Sequence, residues 1–227
     1  MKLLLLTLLF ALCGLAAAAQ KPSAKVIVEF SEASCDDQTY YLSRFATALA
    51  ETPGSKGIAV FYPQKGQPGE ALAYENGFRV TSKFMRFQDD FATIIRARPQ
   101  SSTKVEYWVV PVGADPPKID VAKPDEIFES VSAAFKYNTE FGGEMCPPAR
   151  PEQIADIMTT NPKVYLRLVI RGKSERYRRT KMNKWLHILV EQQGVPRNKI
   201  RVFLTHKLEE YYPYQDVEFW FVPSSPG

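Results

Sequence analysis

Apolar and polar positions along this chain follow two rhythms, and the same succession of rhythms occurs twice. Lys25 to Phe30 is rich in β-branched residues and predicts a strand. Leu42, Phe45, Ala46 and Leu49 then recur at helical spacing, with Asp36 or Asp37 as the start and Thr52-Pro53-Gly54 as the stop. Gly57 to Tyr62 predicts a second strand, and a Pro/Gly/Gln loop follows through Gly69. A second helix is expected from about Glu70 to about Arg86, weakened at Gly77. Ile94 to Arg98 and Lys104 to Val110 close the unit around a turn at Gln100-Ser101-Ser102. The order is β-α-β-α-β-β.

The second half repeats it. Ala133 to Tyr137 is a weaker strand, Pro151 opens a helix carrying Ile154, Ile157 and Met158, and Asn161-Pro162 ends it. Val164 to Ile170 is a strong strand. Met182, Trp185, Leu186, Leu189 and Val190 then form the clearest helical stripe in the chain, closed by Gly194, with Lys181, Lys184 and His187 toward solvent. Ile200 to Leu204 and Val217 to Val222 are the last strands.

Two anchors tie the halves together. Glu29-Phe30 and Glu140-Phe141 are each followed five residues later by a cysteine, Cys35 and Cys146. Val105-Glu106-Tyr107-Trp108-Val109-Val110-Pro111 matches Val217-Glu218-Phe219-Trp220-Phe221-Val222-Pro223 at nearly the same offset. The chain reads as a tandem duplication. The expected fold is α/β, in the α+β two-layer sense: two modules, each a mixed sheet with two helices on one face. The expected divisions are a signal peptide at 1–19, modules at 20–112 and 133–227, and a proline-rich, exposed linker at 113–132.

Composition narrows the function classes. Lys2, the apolar run Leu3 to Leu15 and Ala17-Ala18-Ala19 have the pattern of a cleaved secretory signal, so the protein is expected to be exported, periplasmic or extracellular. No later segment is apolar and long enough to span a membrane. The net charge of +4 is small, with the first copy balanced and the second mildly basic, which does not point to nucleic acid. Export permits a disulfide between Cys35 and Cys146; two separate buried thiols are the other reading.

The β-α-β-α-β-β order, with the run Gly172-Lys173-Ser174-Glu175, a basic helix, Gly194-Val195-Pro196 and Lys199-Ile200, resembles the OmpA-like periplasmic domain. Each copy also resembles short secreted bacterial proteins of unknown function that end in Val-Glu-Leu-Trp-Ile-Val-Pro. The resemblance implies an envelope location and, in the peptidoglycan-binding members, an Asp and an Arg that hold the diaminopimelate group. Here Glu175 stands at the acidic position and Lys181 near the basic one, separated by fewer residues than in those binders. The first copy has Phe61-Tyr62-Pro63-Gln64 where the acidic run would be.

Recognisable catalytic motifs are missing: there is no Gly-x-Ser-x-Gly, no His-Glu-x-x-His and no phosphate-cradling glycine loop. The candidate ligand-binding residues are Arg171, Lys173, Glu175, Arg178 and Lys181, a basic run suited to carboxylates or anionic polymers, against the plainer reading of a solvated helix face. Tyr211, Tyr212 and Tyr214 are candidates for stacking on sugars, or for folding back on the sheet. Trp108 and Trp220 are expected in a shared core or inter-copy role. The leading expectation is a non-enzymatic envelope binding or scaffold protein needing no cofactor or metal. Peptidoglycan or another anionic envelope polymer, and other envelope proteins, are its candidate partners. Peptidoglycan binding by the second module is the alternative, and a thiol-dependent or hydrolytic envelope enzyme the more distant one.

Overall fold

The computed structural model describes residues 21–88, 90–140, 147–206 and 216–224. The leader, Cys13, Cys146 and Tyr211, Tyr212 and Tyr214 lie outside the described residues. The first module contains β1 (Lys25–Phe30), α1 (Cys35–Ala50), β2 (Lys56–Tyr62), α2 (Gly69–Phe84), β3 (Ala92–Arg96) and β4 (Lys104–Val110). After a short helix α3 (Glu126–Glu129), the second contains β5 (Phe135–Thr139), α4 (Pro151–Thr160), β6 (Val164–Arg171), α5 (Glu175–Leu186), β7 (Ile200–Thr205) and β8 (Val217–Pro223). The sheets have the same topology, β1-β4-β2-β3 and β5-β8-β6-β7. In each, the last strand in sequence lies between the first two, antiparallel to both, and the third strand pairs parallel at the edge. The α+β fold of two tandem modules is as the sequence predicts.

Local chemistry explains the elements. Helix α1 starts one residue before the expected aspartates: Ser34 caps it, and Asp37 closes a capping box by accepting from the Ser34 N–H. Strand β6 buries Val164, Leu166, Leu168 and Ile170 and turns Tyr165, Arg167, Val169 and Arg171 the other way, a two-residue period with one face in the core. Along the Trp185 stripe, Trp185 and Leu189 are buried, and the Trp185 ring meets Phe219 edge-on at 4.7 Å. Lys184 and His187 are exposed as expected, whereas Lys181 is largely covered.

The duplication extends to an irregularity. Strand β1 bulges between Val26 and Val28 opposite Trp108 and Tyr107, and β5 bulges between Lys136 and Asn138 opposite Trp220 and Phe219. This register corrects one sequence anchor. Glu29 and Thr139 lie opposite Glu106 and Glu218, so Phe30, not Glu29, is the counterpart of Glu140. A one-residue slip exchanges the faces of a strand. Glu29 is accordingly exposed, while Glu140 is buried at the place where the first module has Phe30.

The modules are joined along α2. Tyr74 and Phe78 enter the core of the first sheet, while Leu72 enters the core of the second. The Asn76 amide bridges backbone of the second module, donating to Pro148 O (2.9 Å) and accepting from Arg150 N (3.2 Å). Gln153 donates to Leu72 O (3.2 Å) and accepts from Tyr137 (2.8 Å). Glu75, fully buried, holds Arg79 and Arg96, and Arg96 reaches across to Asp156 at 2.9 Å. The segment 113–132, expected as an exposed linker, is exposed at more than half of its positions and docks through a few apolar side chains. Ala114 and Ile119 pack on the outer side of the first sheet, and Ile127, Phe128 and Val131 are buried in the second core.

Two glycines of α2 test this junction. A Cβ at Gly69 would sit 2.7 Å from the Phe135 ring and 3.1 Å from Lys136 O, whereas at Gly77 it would meet chiefly the movable end of Gln38. Gly69→Ala is expected to destabilise by about 1–3 kcal/mol through overpacking at the module boundary. Gly77→Ala should be neutral or stabilise by up to about 1 kcal/mol, the helix-propensity difference. Urea unfolding of both variants measures the contrast, and equal effects would mean that α2 does not dock this tightly.

Candidate functional site

The basic run does not form one pocket. Arg171 ends β6 on the sheet side away from the helices, with its Nη2 3.3 Å from Glu218. Lys173 is exposed in the turn before α5. That turn is organised by its own neighbours: Ser174 caps α5 by accepting from Tyr177 N, Arg178 donates to the carbonyls of Gly172 and Lys173, and the Tyr177 hydroxyl bonds Asp216. Gly172 is required there, because a Cβ would lie 2.7 Å from the Tyr177 ring. Glu175, in the first turn of α5, is exposed and pairs with Arg179 one turn on. Lys181 pairs with Glu140 at 2.5 Å, and Lys184 reaches the other oxygen of the same carboxylate at 2.8 Å.

Glu175 and Lys181, set beside one another by the family resemblance despite their short spacing, are turned to different partners. Glu140, legible in the sequence only as an anchor of the repeat, is the acid that Lys181 and Lys184 share. Burial raises its carboxyl, but hydrogen bonds and charge from Lys181 and Lys184 outweigh this and hold it below the ordinary carboxylate value. A lysine clamp on a buried acid ties α5 to the end of β5.

A second arrangement occurs twice. In β4, Glu106 accepts from Trp108 Nε1 (2.9 Å), Tyr62 (2.9 Å) and Lys104 (2.6 Å). In β8, Glu218 accepts from Trp220 Nε1 (2.9 Å), Lys136 (3.3 Å) and Arg171 (3.3 Å). Both glutamates are buried and both indoles half-buried. The tryptophans therefore lie outside the helix-covered cores and do not bridge the two copies. Their spacing held the signal, since Glu-x-Trp in a strand puts both side chains on one face. Burial raises each carboxyl, and the donors outweigh it, leaving both below the ordinary value. Acceptors saturated in this way keep their charge and serve poorly as general acids.

At the module junction, Arg79, Arg96, Arg150, Glu152, Gln153 and Asp156 line a cleft of about 240 Å³. Its cations face Glu75, Glu152 and Asp156, so it is mixed in charge. Among the described residues no three His, Cys, Asp or Glu side chains cluster to hold a metal. No helix among them is long and apolar enough to cross a membrane. Cys35 opens α1, and Cys146, its expected disulfide partner, lies outside the described residues. No family model and no curated protein matches the chain.

The lowered carboxyls of the buried Glu106, Glu140 and Glu218 make acid stability predictable in sign. A carboxyl lowered in the fold contributes stability that is complete above its unfolded value and is lost as pH falls through its folded value. Chemical denaturation midpoints of the wild type should therefore fall as pH drops below about 5. Glu218→Gln should be less stable at neutral pH and lose less between neutrality and about pH 3, because one linked protonation is gone. Parallel pH curves for the two proteins would show that Glu218 is not linked to folding.

Proposed function

We propose that this chain is an exported, non-enzymatic binding or scaffold protein of the cell envelope, made of two OmpA-like modules joined into one body. The observation that carries this reading is the junction at α2, whose side chains enter both cores. Two modules sharing a helix hold their surfaces at a fixed spacing, which suits a scaffold better than a closing catalytic cleft. The commitment of Lys181, Lys184 and Glu140 to one another adds support, because it assigns the most prominent basic residues to holding the fold.

Peptidoglycan binding through Arg171, Glu175 and Lys181 is separated from this reading by purified sacculi. The mature protein, Lys181→Ala and Lys184→Ala are compared, since both variants lose a cation from Glu140 but only Lys181 stands near the family's basic position. Equal retention of all three, or retention of none, is expected. Selective loss with Lys181→Ala at an unchanged melting temperature would replace the scaffold reading by peptidoglycan recognition.

The disulfide belongs to the same proposal. A Cys35–Cys146 bridge would close a loop of about 110 residues and, by chain entropy, add up to about 4.7 kcal/mol. It would also leave the mature chain without a free thiol for catalysis. Non-reducing mass spectrometry of the exported protein should find one Cys35–Cys146 cross-linked peptide; two alkylatable thiols would remove the bridge.

A further inference from the structure

The two sheets differ on the side away from their helices. In the first module, residues 114–122 form a strap over that side, with Ala114 and Ile119 packed around Ile58, Val60 and Val110. Beyond β3 the strap becomes a short antiparallel partner: Arg98 N donates to Asp120 O (2.8 Å), Ala122 N donates to Arg96 O (3.0 Å), and Ala97 bridges Val121. Asp120 also pairs with Arg98 through its carboxylate at 3.0 Å.

Strand β7 is the counterpart of β3, the parallel edge strand of its sheet. Among the described residues no strand lies on its outer side. Thr205 O accepts from Gly172 N, which faces Thr205 toward β6; by alternation Val202 and Leu204 direct their N–H and C=O groups outward. Phe203 and Leu204 are 50% and 40% exposed. An unpaired edge with exposed apolar side chains is a template for another strand, and proteins usually cover or charge it. The first module covers its own.

Charge indicates what would fit. Arg167 lies over the Phe203 ring at 5.4 Å and Arg201 over the Tyr165 ring at 4.1 Å, so both cations flank the edge on the outer face. The Arg167 Nε is buried and has no hydrogen-bond partner. Glu218, on the same face, is already held by Lys136, Arg171 and Trp220.

The geometry points to β7 as a docking edge for an extended acidic segment of a partner polypeptide, laid antiparallel as the strap lies beyond β3. Backbone hydrogen bonds would supply affinity, Phe203 an apolar contact, and Arg167 and Arg201 the selection of carboxylates. This deepens the scaffold reading, on which it rests, by naming the class of partner.

The test uses the full mature protein and a fluorescent peptide alternating Asp or Glu with Val or Ile, against the same peptide carrying Lys. The acidic peptide should bind by anisotropy and shift the amide resonances of Val202 and Leu204. Arg201→Glu should weaken it by about tenfold or more. Leu204→Pro should abolish binding, because proline is tolerated on an edge strand yet removes an outward N–H. Both variants should keep the wild-type melting temperature, and Arg201→Glu keeps the assay decisive if the proline variant does not fold. Absence of binding, equal binding of the Lys peptide, or shifts confined to other strands would overturn the proposal. So would concentration-dependent dimerisation lost with Leu204→Pro, which would assign the edge to a second copy of this chain. No envelope polymer is present in the assay, so its failure is distinct from failure of the scaffold reading in the sacculus experiment.

Discussion

Helix α2 carries side chains for two cores at once, and the rest of the molecule is arranged around that demand. Nine of its sixteen residues are buried, among them Glu75 and Asn76. A helix covered on opposite sides has little room for polar groups, so each one buried there needs a specified partner. Asn76 and Glu75 find theirs across the boundary or on the neighbouring strand, in Pro148, Arg150 and Arg96. Apolar burial favours the association, and these directional bonds fix its register. The modules therefore resemble the halves of one domain more than two beads on a linker.

The polar interior follows the same logic elsewhere. Glu106, Glu140 and Glu218 each sit in or beside a sheet, and each is met by at least two donors or cations. Removing a carboxylate from water is costly unless its charge is compensated locally, so such sites commit lysines and arginines to the fold. Part of the basic character of 167–184 is this compensation, supplied by Arg171, Lys181 and Lys184. These three cations are turned onto acids 41 to 47 positions away in the chain, while Lys173, Arg176 and Arg179 remain exposed.

Much of the fold was legible in the sequence because its evidence is local. Two-residue alternation in β6 and the Glu-x-Trp strands, the Trp185 stripe and the stops at Pro53 and Gly194 mark the elements, and the repeat doubles every such signal. What escaped depends on partners far apart in sequence. Gly69 reads as the end of a loop, yet it opens α2 and is a place of close approach to Phe135 of the second module. Prolines in 113–124 read as a free linker, but apolar Ala114 and Ile119 find a sheet face to cover. The Glu29/Glu140 match misled because identity at two positions carries no register, whereas the bulges opposite Trp108 and Trp220 do. Glu175 and Lys181, matched by resemblance to an acid and a base of a ligand site, take separate partners within the fold, Arg179 and Glu140.

Duplication also explains why the two modules are unequal. When one unit is copied in tandem, the chain leaving the first copy must run on to the second, and it is available to cover whatever it crosses. Here it crosses the outer side of the first sheet, where Ile58, Val60 and Val110 are apolar. At the corresponding strand positions of the second module, β6 carries Arg167 and Val169, and among the described residues no segment crosses them. The first face has become interior and the second has kept cations and half-buried aromatic rings. Sequence divergence between the copies thus tracks a topological difference: the same strand order, with and without a covering segment, places different chemistry on its outer face.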